Sequence, residues 1–283
     1  MPEPDNTFEL AADAVVAGNL PALAALLSAH PELVNARSPR PHRATLLHYV
    51  AANGVEQERQ KSPPNAPEIA RLLLENGAEV DALAQMYGPA DTTLNLLVSS
   101  VHPYRAGVQV ALIDVLADFG AALDGLHGDS SPLRTALNFG YSGAAEALAE
   151  RGARVSSAAF AAGLGRMDLL HAFCEGGADR EDLEQGLLWA AIHNRAEAVE
   201  YLLSHGVNPG ACDRRRFTAL HWAAHYGNAD IVRILLAAGA PLDVQNEYGG
   251  TPLGQTIWTV HHEEPRPAHG AILEMLREAG ARA

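Results

Sequence analysis

The sequence predicts an all-α fold, a solenoid of stacked helix–loop–helix units, from its composition and from internal repetition. Alanine, leucine and glycine dominate the 283 residues and aromatic residues make up only 6%, which suits closely packed helices better than a β-sandwich. Residues 216–243 repeat residues 186–209 at an offset of 33, so that Trp222 matches Trp189. Such a period is typical of repeat proteins, whose units bury their apolar faces only by stacking.

One column of apolar residues sets the register of the units along the whole chain. Each member lies in the second helix of a unit and faces the core. The column consists of Leu26, Leu73, Leu116, Leu148, Phe173, Leu202, Leu235 and Leu276. Eight members predict eight units in a single domain, residues 1–283. The units span approximately residues 6–37, 43–82, 87–124, 128–155, 156–179, 182–209, 213–243 and 246–281.

Capping residues mark where the helices start and end. Thr45 and Thr218 precede first helices, where a hydroxyl can accept a hydrogen bond from a free N–H group. Pro132 and Pro252 take first helical positions, at which a missing N–H costs nothing. Glycine follows seven of the second helices, where the chain must turn left-handed. These glycines are Gly77, Gly120, Gly152, Gly177, Gly206, Gly239 and Gly280.

Together these signals resemble the ankyrin repeat, which begins with a Thr-Pro-Leu-His turn and continues with an alanine pair, a Gly-Asn/His step and a leucine pair. Variants of the turn occur at residues 45–48, 92–95, 131–134, 218–221 and 251–254. The resemblance implies a curved, right-handed stack whose concave face is lined by first helices and short finger hairpins. It also implies that His48 and His221 bond backbone groups of adjacent repeats.

Three units are longer than the ankyrin period, and two have shortened fingers. The insertions are residues 55–67, 102–107 and 261–270, each rich in proline or bearing glycine, and we expect loops that leave the same edge of the stack. In units five and six little sequence remains for a finger hairpin. The gap in the finger row either opens the groove there or reflects repeat degeneration alone.

Charge and cysteine content exclude several classes of protein. The net charge is −14, which disfavours binding to the phosphates of nucleic acid. Cys174 and Cys212 are too few for a disulfide framework or a cysteine-rich zinc module, and we expect both to be reduced. The N-terminal segment lacks the features of a secretory signal, and no apolar run is long enough for a membrane span. We therefore expect a soluble, cytoplasmic protein without membrane contact.

The two residues that follow the alanine pair point into the groove in ankyrin proteins. In units six to eight they form two rows, Ile192–His225–Trp258 and His193–Tyr226–Thr259. Exposed rigid rings are typical of binding hot spots, although ordinary packing between repeats is the alternative. The finger tips add a basic triplet that could bind a carboxylate or phosphate. The candidate partner-binding residues are Arg214, Arg215, Phe217, His193, His225, Tyr226, Tyr248 and Trp258.

A metal site is the second candidate. The insertion of unit eight holds three histidines and two glutamates within ten residues, and His102 lies in the equivalent insertion of unit three. These residue types bind transition metals, but no spacing fixes a geometry, and an exposed polar loop is the alternative. The candidate ligands are His102, His261, His262, Glu263 and His269. His221 and His225 are also four residues apart on a helix.

The sequence favours a non-catalytic protein-interaction module that binds another protein through the groove and fingers, with no cofactor. It contains no G-x-S-x-G, P-loop or dinucleotide-binding motif. An enzyme or a small-ligand or metal-binding protein, with its site in the groove and the inserted loops, is the alternative. A subunit of a larger assembly is a third reading.

Overall fold

Helices dominate the computed structural model, which describes residues 4–87, 90–263 and 266–282. Within these residues, eight consecutive helix pairs follow the eight predicted units, here called repeats one to eight. The helices are α1 (Pro4–Val16) and α2 (Leu20–Ala29); α3 (Leu46–Val50) and α4 (Ala66–Glu75); α5 (Thr93–Leu97), the additional α6 (Val101–Arg105) and α7 (Gln109–Asp118); α8 (Ser131–Asn138) and α9 (Ser142–Glu150); α10 (Ala158–Leu164) and α11 (Met167–Glu175); α12 (Arg180–Ile192) and α13 (Ala196–Ser204); α14 (Ala219–His225) and α15 (Ala229–Ala237); α16 (Pro252–His262) and α17 (His269–Glu278). The predicted all-α class is confirmed.

The chain divides into two compact units, which we call unit 1 (Met1–Arg154, with α1–α9) and unit 2 (Val155–Ala283, with α10–α17). The predicted apolar column lies in their cores. Six of its members are at most 2% exposed: Leu73, Leu116, Leu148, Leu202, Leu235 and Leu276. Leu26 and Phe173 are half-buried, and in the first repeat Leu27 is buried instead.

The fingers vary between repeats. In unit 1, β1 (Leu83–Gln85) pairs antiparallel with β2 (Ala90–Thr92), and in unit 2 Cys212 and Thr218 form one antiparallel bridge. Residues 153–157 and 178–179, all of them described, contain no strand. In repeat six a longer first helix replaces the finger, because α12 begins directly after its N-cap residue, Asp179. The predicted shortening of these two fingers agrees with the structure.

The insertions contain more helix than the sequence predicts. Residues 55–65 form a loop with one 3-10 turn (Gln57–Arg59), as expected in outline, whereas residues 66 and 67 already belong to α4. The prediction of a loop at residues 102–107 is wrong, because α6 covers residues 101–105. Its Pro103 lies in the first helical turn, where the backbone N–H has no acceptor within the helix, so proline is tolerated.

The insertion of repeat eight also departs from the predicted loop. His261 and His262 end α16, and His269 is the first residue of α17, so the connection is confined to residues 263–268. The expectation that residues 261–270 form a loop is therefore wrong at both ends of this segment. No helix among the described residues is both long and apolar enough to cross a membrane.

The histidine of the Thr-x-x-His turn is part of a capping box in both units. Thr45 N donates to Nδ1 of the buried His48 at 3.1 Å, and Thr218 N donates to Nδ1 of the buried His221 at the same distance. His221 Nε2 also donates to Gly250 O at 3.1 Å, which joins repeats seven and eight. These contacts show the structural role that the resemblance implies for His221.

Candidate interaction surface

The predicted rows of groove residues are largely buried in unit 2. Ile192 is 8% exposed, His193 4% and Thr259 1%. The turn that follows α12 is closed by Asn228, whose Nδ2 donates to Ala191 O at 2.8 Å. The prediction that His193 is exposed for contact is therefore wrong, because the next repeat packs over this turn.

The structure joins one residue from each predicted row, because Thr259 Oγ1 lies 3.0 Å from His225 Nδ1. Trp258 lies within α16, which runs on to His262. Burial lowers the pKa of His225 below its ordinary value, although the Glu263 carboxylate opposes this shift.

Trp258 and Tyr248 are the exposed large hydrophobic side chains among the described residues of unit 2. The Trp258 ring is 47% exposed and stacks on the exposed His262 ring, with 5.0 Å between centroids and 14° between planes. His262 Nδ1 lies 2.9 Å from Trp258 O, which holds the two rings together. The pair presents a flat, rigid surface to solvent.

Tyr226 is half-buried beneath the insertion of repeat eight. The Arg266 guanidinium lies 5.6 Å from the centre of the Tyr226 ring, and its Nη1 donates to Tyr226 O at 2.6 Å. His269 Nε2 donates to His225 O at 3.1 Å. The insertion therefore lies over the turn of repeat seven. Tyr226 and His225 lie beside the insertion, and we call these two residues the floor of the candidate surface.

The finger of repeat seven is built around Asp213. Its Oδ1 accepts hydrogen bonds from Arg215 N and Phe217 N, both at 2.9 Å, and its Oδ2 accepts one from Trp222 Nε1 at 3.1 Å. Phe217 is 6% exposed and stacks on Trp222 at 4.6 Å. The prediction that Phe217 is an exposed contact residue is wrong, because its ring supports the finger from within.

The tips of fingers seven and eight lie side by side. Glu247 N donates to Arg215 O at 2.8 Å, and the Glu247 carboxylate lies 3.4 Å from Arg215 Nε. Tyr248 is 72% exposed and meets the Phe217 ring edge-on at 6.3 Å, and Glu247 raises its pKa. We call the exposed group Arg214, Arg215, Glu247 and Tyr248 the fingertip platform.

A continuous chain of ring contacts, which we call the aromatic row, joins this platform to the floor. It runs from Tyr248 to Phe217, on to Trp222 at 4.6 Å, and then to Tyr226 at 6.2 Å. Sequence reasoning missed Trp222 as part of a surface, because it entered the argument only as a repeat match to Trp189. Its position one residue after the Thr-x-x-His turn was the available signal.

The predicted metal ligands do not assemble within the part of the chain that the structure describes. Among those residues no group of three or more His, Cys, Asp or Glu side chains is placed to hold a metal ion. His269 is excluded as a ligand: it is buried, Nδ1 accepts from Arg266 N at 2.9 Å, and Nε2 is bonded to His225 O. His221 uses both ring nitrogens in the same way. His102 lies in α6 of unit 1, and His261 is exposed at the end of α16.

Unit 1 holds a cluster of charged side chains that sequence reasoning did not find. Glu9 of α1 pairs with Arg40 at 3.2 Å and with Arg59, and the Glu56 carboxylate also pairs with Arg40. Burial raises the pKa of the Glu9 carboxyl, but hydrogen bonds from Arg59 and Arg40 outweigh it and leave the pKa below its ordinary value. The cluster fastens the 55–67 insertion to the first repeat.

Comparison with known proteins identifies the repeats. A family model described as ankyrin repeats (3 copies) matches residues 158–246 and 187–262, all of them in unit 2. Unit 2 therefore contains ankyrin repeats. The second match, residues 187–262, includes the finger of repeat seven and the whole aromatic row, whereas the first match ends before Tyr248.

Several relatives match a part of the chain. Palmitoyltransferase ZDHHC17 of Danio rerio is 36% identical over 92 residues, an alignment that covers 30% of this chain and 15% of that protein. The ankyrin repeat-containing protein P1E11.10 of Schizosaccharomyces pombe is 33% identical over 67 residues, covering 23% of this chain and 32% of that protein. Protein PhlB of Serratia liquefaciens is 35% identical over 88 residues, covering 30% of this chain and 39% of that protein.

This chain thus covers well under two thirds of the length of each of these relatives. The likeness reaches the ankyrin repeats of this chain, and ankyrin repeats indicate a protein-interaction module.

Proposed function

We propose that this ankyrin-repeat protein is a non-catalytic module that binds a partner protein through repeats seven and eight of unit 2. The contact surface consists of the fingertip platform, the half-buried Tyr226 and His225, and the stacked pair of Trp258 and His262. Reduced Cys174 and Cys212, free in the structure, suit a cytoplasmic location.

The aromatic row is the observation that carries this proposal. Its rings rest on one another from Tyr248 to Tyr226, and Asp213 holds the indole of Trp222 from behind. Large side chains that are already fixed lose little entropy on binding and offer a wide contact area. No described feature favours an enzymatic or small-ligand site as strongly as the aromatic row favours protein binding. We therefore keep protein binding as the proposed function.

Capture of a partner tests the proposal. The tagged full-length chain is incubated with lysate of its source organism, and the retained proteins are compared with those held by the Tyr248→Ala/Trp258→Ala variant. Both side chains are exposed, so the variant keeps its far-UV circular dichroism, whereas loss of two anchors lowers retention at least about tenfold. Tyr226 is a poorer choice, because Arg266 packs on its ring.

Phe139→Ala is the matched control, since Phe139 is an aromatic side chain of unit 1 that is 51% exposed. It should retain the partner as the wild type does. If the folded double variant captures the same partner at the wild-type level, the proposed surface is wrong.

A further inference from the structure

We infer that the fingertip platform binds an acidic segment of the partner, with aspartate or glutamate carboxylates on Arg214 and Arg215 and an apolar side chain against Tyr248. The inference rests on the proposed function and specifies the partner's chemistry. It is carried by the charge, the rigidity and the exposure of the platform.

The platform has an excess of positive charge in a chain whose net charge is −14. The two fingertips contain three arginines, residues 214–216, and only two carboxylates, those of Asp213 and Glu247. The Arg216 Nε donates to Gln245 O at 3.1 Å. Within the described residues Arg214 makes no ion pair or side-chain hydrogen bond, and Arg215 is shared with Glu247. An incoming carboxylate therefore finds one unpaired guanidinium and one that is only partly neutralised.

The backbone under these arginines is fixed before a partner arrives. Asp213 accepts from two backbone N–H groups of the finger, and the bond from Glu247 N to Arg215 O ties the two fingertips together. Because the backbone does not have to be ordered on binding, the cost of association is confined to the exposed side chains. The contact between Glu247 and Arg215 also shows that a carboxylate reaches this arginine at the surface.

The same contact favours carboxylates over phosphate as the occupant. A phosphoryl group carries up to two negative charges and would lie beside the Glu247 carboxylate, which repels it. A singly charged Asp or Glu side chain meets less repulsion and can still form a bidentate pair with a guanidinium. The exposed Tyr248 ring offers an apolar contact next to these charges, so the segment should carry an apolar residue among its acidic ones.

Fluorescence anisotropy with the full-length protein tests the inference. The probe is a labelled peptide of about twelve residues in which Asp and Glu surround one Leu. A second peptide carries Asn and Gln in place of the acids, and a third carries phosphoserine. We expect the acidic peptide to bind, the amide peptide to bind at least about tenfold more weakly, and affinity to fall as NaCl rises from about 50 to about 300 mM.

Two sets of variants locate the contact. Arg214→Ala/Arg215→Ala should weaken binding of the acidic peptide about tenfold, and Arg214→Lys/Arg215→Lys should weaken it less, because lysine keeps the charge but not the bidentate geometry. Arg233→Ala is the matched control, because Arg233 is a 65%-exposed arginine of the same unit that pairs with Asp230, and it should bind as the wild type does. Both alanine variants change exposed side chains, so unaltered circular dichroism is expected.

Three results would overturn the inference: no measurable binding of the acidic peptide, equal binding by the Arg214→Ala/Arg215→Ala variant, or tighter binding of the phosphoserine peptide. Failure here is separable from failure of the proposed function. If the acidic peptide fails but the Tyr248→Ala/Trp258→Ala variant loses its captured partner, only the acidic occupant is wrong. If the peptide binds through the arginines but that variant captures the partner at the wild-type level, the proposed aromatic contact surface is wrong. Binding of an acidic segment by the fingertip arginines is then still supported.

Discussion

At the scale of single residues, the histidine of the Thr-x-x-His turn shows why an ionisable group is kept neutral in this fold. His48 Nδ1 accepts from Thr45 N at 3.1 Å, and only an unprotonated nitrogen can accept. The ring is fully buried, and burial lowers the pKa of His48 to about 4. His221 has the same cap, and burial lowers its pKa as well.

This arrangement predicts that acid destabilises unit 1 through His48. The unfolded chain takes up a proton near pH 6.5 and the folded chain only near pH 4, so stability is full above pH 6.5 and falls as the pH drops below it. The slope is about 1.4 kcal/mol per pH unit, or about 2 kcal/mol between pH 6.5 and pH 5. Urea unfolding at pH 7 and pH 5 should therefore show a smaller pH dependence for His48→Asn than for the wild type.

The asparagine of that variant can still accept from Thr45 N, so the cap is kept. The control is His30→Asn, since the His30 side chain lies at the surface, and its pH dependence should match the wild type. Equal pH dependence of all three proteins would contradict the role assigned to His48.

At the scale of elements, the insertions extend a contact that the regular repeats already make. In repeat seven, Asn228 caps the turn of the preceding repeat by donating to Ala191 O. In repeat two, Asn65 Nδ2 donates to Gly18 O at 2.8 Å. In repeat eight, Arg266 Nη1 likewise donates to Tyr226 O of the preceding repeat. The insertions thus lie against the repeat before them, as structural clamps, whatever else they bind.

The clamp in repeat two predicts a specific effect of Arg59→Met. Arg59 is 11% exposed and pairs with Glu9 and Asp13, so its loss leaves Asp13 without this partner and Glu9 with Arg40 alone. The cost should lie between that of an exposed pair, less than about 1 kcal/mol, and that of a fully buried pair, about 3 kcal/mol. Arg71→Met is the matched control, since Arg71 is 45% exposed in its pair with Asp118.

Proteolysis reports on this clamp directly. Lys61 is the single lysine of the chain and lies within the 55–67 insertion, so a lysine-specific protease cuts only there. Cleavage should be clearly faster for Arg59→Met than for the wild type or Arg71→Met, because opening of the loop exposes the bond. Equal cleavage rates in the two variants would show that the charged cluster does not hold the loop.

The same elements show what sequence reasoning can reach. Helix pairs, N-caps such as Thr218 and the apolar column follow from local patterns, because each depends on residues a few positions apart. The helix at Val101–Arg105 was missed because Pro103 is a helix breaker only beyond the first turn. The sequence predicts a loop position for His269, although both ring nitrogens form hydrogen bonds inside the fold.

The surface and the charged cluster depend on tertiary packing and were less accessible. Glu9 and Arg59 are fifty positions apart, and no local sequence pattern predicts that they form an ion pair. Phe217 and Tyr248 were both chosen as exposed rings, but only the packing of Phe217 on Trp222 shows which one faces solvent. The sequence and the structure therefore point to the same repeats for the proposed surface, but burial shows that some of the predicted side chains, such as Phe217, do not face solvent.

At the scale of the whole molecule, unit 2 has a continuous core of its own. Leu170, Leu187, Leu220 and Ile272 are fully buried in it, together with the alanine pair of α12. Gly186 of α12 lies so close to α10 that an added Cβ would be 3.2 Å from Ala162 Cβ. Small residues thus let α10 and α12 approach closely.

We therefore predict that residues 155–283 fold as an isolated fragment. In a repeat protein stability is close to a sum of repeat and neighbour terms, so four complete repeats with a closed core should suffice. All three tryptophans, Trp189, Trp222 and Trp258, lie in this fragment, and tryptophan fluorescence of the full chain therefore reports unit 2. The fragment should show a native-like emission maximum and a single cooperative urea transition.

A shorter fragment provides the control for this prediction. Residues 193–283 lack α10–α12 and expose the faces of α13 and α14 that Leu187 and Leu188 cover in the full core. That fragment should lose cooperativity or unfold at much lower urea, because each missing neighbour removes apolar burial from the repeat that remains. If residues 155–283 are themselves unfolded, unit 2 does not stand on its own core, and the eight repeats fold only as the single domain that the sequence predicts.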